Sequence, residues 1–405
     1  MSLNKNKYIT PLILVIFLFF LWGFAHSILD VLNKHFQEVL VISKARSGLV
    51  QAVVYGGYFI MALPAGYFIQ KFGYKKGVVF GLLLYGTGAL LFIPAEKIMS
   101  FNYFLFLLFL IGSGLTFLET SANPYVTILG EKDKGASRIN LAQSFNGLGW
   151  IVGPLVGGLL IFNADGTSGS VALPYTIIGI VVFFVAAVFI KVKLPEIDEE
   201  DNDSLSPVNY MGLWQNKVFR FGVIALFFYV AAQTGINSFF INYVVESDAD
   251  ISSRTASVLL SFGGMGLFMT GRLLGSWILR YVKPEILLTI SAVLAVVSMI
   301  LVVSGLGIIS LIALIACYFF ESIMFPTIFA ISIKGLGALT KKGSSILIMS
   351  IVGGAVSPVI MGFLGEKNMA VGFLVPLFCF LIIVSFGLFL NMQSNHQLKI
   401  KSPLL

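Results

Sequence analysis

Read for polarity alone, the chain is a succession of long apolar runs near residues 9–33, 47–70, 77–95, 101–129, 139–162, 172–191, 217–245, 255–280, 285–304, 308–333, 344–365 and 370–392, separated by short polar stretches. A run of about 20 apolar residues is long enough for a helix to cross the hydrocarbon core of a bilayer. Only helices or closed barrels can do so with every backbone polar group satisfied. The pattern predicts an all-α membrane protein of twelve transmembrane helices. The first run follows Lys5 and Lys7 but is too long for a cleaved signal and lacks a small-residue cleavage site, so it reads as a retained helix. Between the sixth and seventh runs, Glu196, Asp198, Glu199, Glu200, Asp201, Asp203 and Pro207 form an acidic stretch that cannot bury a core. The chain is therefore expected to divide into a six-helix bundle over 1–193, a cytoplasmic linker over 194–216 and a second six-helix bundle over 217–405.

Polar residues inside the apolar runs carry the chemistry. Glu119 lies deep in the fourth run, where a carboxylate costs roughly 2.5 to 3.5 kcal/mol on insertion scales, so it faces protein or a wet cavity and marks a transport path or a structural pair. Asn123 shares its helix face at i, i+4, and Pro124 removes a backbone hydrogen bond beside them. On the first helix His26, Asp30, Asn33 and Gln37 fall at i, i+4, i+7 and i+11, a polar stripe that must face inward. The fifth helix offers Gln143, Asn146 and Trp150, and the seventh Tyr229, Gln233, Asn237 and Phe240. Amides and carboxylates give hydroxyls both donors and acceptors, while aromatic faces cover the apolar patches of a sugar ring. The plainer alternative for each amide is an interhelical hydrogen bond worth about 0.6 kcal/mol. Arg272, within the eighth helix, either pairs with a carboxylate or reaches toward the cytoplasm.

Composition narrows the class. With 405 residues, 58% hydrophobic, 11% charged and a mean hydropathy of +0.95, the chain is far more apolar than a soluble domain. Its net charge of +7 comes from Lys and Arg dispersed in short loops, which membrane topology explains without nucleic acid as a partner. Most of the basic residues, including Lys71, Lys75, Lys76, Arg138, Lys191, Lys193, Lys334, Lys341 and Lys342, fall on the side that also holds both termini. That bias places both termini in the cytoplasm. Cys317 and Cys379 lie in apolar runs and read as packing residues rather than a disulfide or metal site. No metal cluster, nucleophile constellation or phosphate loop points to an enzyme or to a cofactor.

The two halves also echo each other. Glu119 and Pro124 recur as Glu321 and Pro326, and Gly149, Pro154 and Gly158 recur as Gly353, Pro358 and Gly362. Parallel repeats of this kind are the architecture of the major facilitator superfamily, with the substrate site near the midplane. The loop from Gly66 to Lys76 resembles that superfamily's signature between its second and third helices, with Gln70 in place of the usual aspartate. Gly66 and Gly73 would there allow close helix approach and a tight turn, and the lysines would hold helix ends. Leu118-Glu-Thr-Ser-Ala-Asn-Pro-Tyr-Val, Arg138-Ile-Asn-Leu-Ala-Gln-Ser-Phe-Asn and Phe325-Pro-Thr-Ile-Phe resemble the fucose-galactose-proton symporter family, over about Leu18 to Leu390.

That resemblance implies a monomeric carrier in a bacterial cytoplasmic membrane, importing a monosaccharide such as L-fucose or a related hexose by alternating access. The coupling ion would be a proton or, in some members, sodium; a sodium-coupled glucose/galactose or amino-sugar transporter is the alternative. It also implies one carboxylate near the sugar, matched by Asp30, and one that titrates on the fourth helix, matched by Glu119, with Asp30 as a further coupling candidate. Gln143 and Asn146 match cavity-lining positions. His26 replaces a family asparagine, Phe325 replaces a tyrosine, and Glu321 has no counterpart in the pattern. Together with Asn33, Asn123, Gln233 and Asn237, these complete the expected sugar site. Gly149 to Gly158 also partly resembles the glycine-proline motif of drug:proton antiporters, which leaves export as a lesser reading beside a sugar-sensing receptor.

Overall fold

The computed structural model describes residues 6–128, 135–163, 169–192, 210–247, 250–336 and 339–401. Among them are twelve helices long and apolar enough to span a membrane, beginning with Ile9–Leu40 and ending with Met369–Gln393. We number them first to twelfth in chain order. The first helix, Asn6–Leu40, extends past its apolar run and carries the buried polar stripe from His26 to Asn33 within it.

The chain resolves into two compact units. One contains residues 1–43, 49–205 and 251–261, and the other 44–48, 206–250 and 262–405. The boundary expected near 194–216 falls largely outside the described residues; within it Tyr210–Gln215 is a short helix. Two short segments exchange places relative to a simple halving of the chain. Residues 44–48 pack with the second unit, and 251–261 with the first.

In the first unit the first helix packs on the fifth, the second and third on the fourth, and the third on the sixth. In the second unit the seventh packs on the eleventh, the eighth and ninth on the tenth, and the ninth on the twelfth. The echo in the sequence is thus an echo in packing. A Cβ at Gly149 would strike the Phe20 carbonyl of the first helix, and one at Gly353 the Phe227 carbonyl of the seventh. The glycines of the supposed antiporter motif therefore serve helix contact: Gly149, Gly153 and Gly157 face the first helix and Gly158 faces Ser257.

Each unit has an aromatic interior, with Tyr85, Phe92 and Phe104 in the first and Phe219, Phe239 and Tyr318 in the second, all fully buried. Large apolar side chains such as Leu63, Phe184, Ile312 and Phe363 are exposed, as a surface solvated by lipid requires. In the loop after the second helix, Gly73 adopts φ 86°, a turn that glycine makes without steric cost. Lys75 donates to the carbonyls of Ile190 and Val192 at 2.9 and 2.8 Å, holding the end of the sixth helix. Among the described residues nothing lies within 4 Å of the Cβ that Gly66 lacks, so no contact within the first unit requires a glycine there. Cys317 and Cys379 are buried free thiols.

Candidate functional site

Buried polar side chains gather in both units. In the first, Asp30 is 1% exposed, and its Oδ1 accepts a hydrogen bond from Gln51 Nε2 at 2.8 Å. Its Oδ2 is buried without a hydrogen-bond partner. An unsatisfied buried acceptor costs free energy, so a donor that reached this oxygen would be favoured. One turn earlier, His26 Nε2 bonds the Tyr58 hydroxyl at 3.0 Å. Four aromatic rings surround the imidazole: Trp22, Tyr55 and Tyr58 with centroids at 6.2, 5.6 and 5.3 Å, and Trp150 stacked at 6.0 Å and 15°. The arrangement offers flat apolar faces beside a carboxylate, the combination that a sugar ring with its hydroxyls needs.

Glu119 is half-buried on the fourth helix and lies within electrostatic reach of the Tyr58 hydroxyl, which joins it to His26. The helix continues to Ile128, past the Asn123–Pro124 step. Asn123 keeps a buried Oδ1 without a hydrogen-bond partner. Asn33 accepts from Gln37 Nε2 at 3.3 Å, a pair within one helix face. Asn146 Nδ2 donates to the Phe19 carbonyl at 3.0 Å, tying the fifth helix to the first. Its amide nitrogen is thus spent on packing, whereas Gln143, one turn before it, is half-buried.

In the second unit Gln233 is half-buried and Asn237 buried, one turn apart on the seventh helix, and Asn237 Oδ1 has no hydrogen-bond partner. Phe325 lies 6.0 Å from the Tyr229 ring and stacks on Phe329 at 6.2 Å. Glu321 is 0% exposed with neither carboxylate oxygen hydrogen-bonded. It ends one helical segment, Ile308–Glu321, and the next begins at Met324. Pro326 explains the break, since its ring displaces the carbonyl four residues earlier, that of Ser322. Arg272 Nε takes up this carbonyl at 3.4 Å, and its guanidinium lies over the Phe268 ring at 4.7 Å. Among the described residues Arg272 makes no ion pair with a carboxylate; its contacts are a carbonyl bond and a cation–π contact.

The residues overlooked in the sequence are Gln51, Tyr55 and Tyr58. Their spacing of i, i+4 and i+7 is the spacing of the first-helix stripe, and it was the available signal.

The Major Facilitator Superfamily model matches residues 12–349. The L-fucose-proton symporter of Escherichia coli (strain K12) is 36% identical over 420 residues, covering 97% of this chain and 96% of that protein. A glucose/galactose transporter of Brucella abortus is likewise 36% identical over 395 residues, 95% of each chain. A crystal structure of the E. coli fucose:proton symporter superposes with a TM-score of 0.68, covering 95% of this chain and 99% of that one, at 36% identity. At 14% identity, a D-xylose-proton symporter structure shares the fold with a TM-score of 0.76, over 94% and 96% of the two chains.

Proposed function

We propose that this chain, which belongs to the Major Facilitator Superfamily, is a proton-coupled symporter that imports a monosaccharide by alternating access. The observation that carries the reading is Asp30: a buried carboxylate oriented by Gln51 through one oxygen, with the other left open beside the aromatic surround of His26. The relatives named for fucose and for glucose or galactose support a hexose or deoxyhexose as cargo. In this reading Asp30 and His26 contact the sugar, with Asn123 and Gln143 as further contacts in the first unit. Glu119 carries the proton, because a neutral carboxyl crosses the occluded stage without the cost of moving a buried charge. The carrier acts as a monomer in a bacterial cytoplasmic membrane with both termini inside, as the basic loops support.

Counterflow in liposomes tests the reading. Purified protein should exchange one of L-fucose, D-galactose or D-glucose, faster at the lower of two pH values and independently of sodium. Sodium dependence without pH dependence would replace the proton, and no sugar exchange at all would overturn the assignment.

A further inference from the structure

Glu321 is a buried carboxyl that the proposed cycle leaves unused. It is fully buried, and neither oxygen receives a hydrogen bond. It lies at the middle of the span Ile308–Ile333, just before the two-residue turn at Ser322 and Ile323 where the helix kinks ahead of Pro326. A proline kink frees a backbone carbonyl, and here Arg272 Nε donates to that of Ser322 at 3.4 Å.

The groups facing it leave an ionised carboxylate uncompensated. On its own helix it has Cys317, one turn back, and Tyr318. The seventh helix brings Tyr229, which sits against Phe325 and near Arg272. The eighth brings Arg272, whose guanidinium is engaged by the Ser322 carbonyl and the Phe268 ring, with no ion pair to Glu321. The ninth helix carries a single acid, Glu285, in its first turn at the far end of the span, and no base. Beyond the carboxylate itself, a thiol and two phenol hydroxyls are fewer than the several oxygen ligands that a hard cation such as sodium requires. The cation that fits without ligands is a proton.

We propose that Glu321 is a second proton-carrying carboxyl of this symporter, neutral in the arrangement described and ionised in the other half of the cycle. Where Glu119 is partly accessible within the first unit, Glu321 is closed off, so its proton is released only when the tenth helix rearranges at its kink. The inference rests on proton-coupled sugar transport and adds a second proton to it.

The test is the null point of sugar flux in proteoliposomes with the membrane potential clamped to zero and a pH gradient of one unit. At the null point the sugar ratio equals the proton ratio raised to the number of protons carried, so two protons hold a ratio of about 100 and one holds about 10. With D-galactose or L-fucose, the wild type should balance near 100 and Glu321→Gln near 10, and Glu321→Asp should return toward the wild-type value. Because Glu321→Gln can fail to assemble, infrared difference spectroscopy of the wild type provides a second readout. A protonated-carboxyl band should disappear on sugar release, and in Glu321→Asp it should shift in frequency. A wild-type ratio near 10 overturns the proposal and leaves the single-proton reading standing; a ratio unaltered by Glu321→Gln, or a band insensitive to Glu321→Asp, overturns the assignment to Glu321. A wild type with no pH-driven sugar gradient overturns that reading itself.

Discussion

Asp30→Asn is the most informative single substitution in the first unit. The amide matches the carboxylate in shape, and its oxygen can continue to accept the 2.8 Å hydrogen bond from Gln51. The change therefore falls on Oδ2, which has no partner within the protein and becomes an NH2 donor that cannot accept from a hydroxyl. Since Gln51 already occupies one oxygen, a single charge-assisted hydrogen bond to sugar is lost. At about 1.5 to 3 kcal/mol, that weakens affinity by roughly 10- to 150-fold. Because the Gln51 bond survives, the melting temperature in detergent should stay near that of the wild type. Calorimetric titration of purified protein with the sugar identified by counterflow measures the effect. An affinity within twofold of wild type would remove Asp30 from the sugar site; a collapse in stability would make it a structural group instead.

Packing and contact predictions follow from the same coordinates. Gly149→Ala and Gly353→Ala, which collide with the equivalent carbonyls of Phe20 and Phe227, should each cost about 1 to 3 kcal/mol by thermal denaturation. Gly66→Ala, with open space around it, should leave stability unchanged or raise it, and equal losses at all three would refute the packing account. Lys44→Ala removes an ion pair with Glu246 and hydrogen bonds to the Gly365 and Glu366 carbonyls at 2.8 and 3.2 Å. The site is partly solvated, so the loss should be about 1 to 2 kcal/mol, and a larger one would show that these contacts carry more than their exposure allows.

Helix number and the internal repeat were legible in the sequence because they rest on periods that chain chemistry imposes: the length of the bilayer core and the glycines that let two backbones meet. Asp30 was legible for a similar reason, as one member of a stripe whose polar spacing stands against an apolar background. Gln51, Tyr55 and Tyr58 carry an equal spacing but less contrast, since nothing local says that Gln51 meets Asp30 and the tyrosines meet His26. Asn146 shows the converse: a polar residue at a family position whose nitrogen is bonded to the Phe19 carbonyl. Arg272 was ambiguous because its partner is a backbone carbonyl freed by Pro326, some fifty residues away. The segments 44–48 and 251–261 join units that their sequence neighbours do not, which only long-range contacts reveal.

Glu119→Gln tests the central claim, that this carboxyl carries a coupled proton, most directly. The amide imitates the protonated acid permanently, so the variant should still exchange sugar at symmetric pH while its null-point ratio at a one-unit pH gradient falls tenfold. The ratio would reach unity if Glu119 is the sole carrier and about 10 if Glu321 bears a second proton. Exchange preserved with that tenfold loss is the predicted result, and a null-point ratio equal to that of the wild type would contradict it.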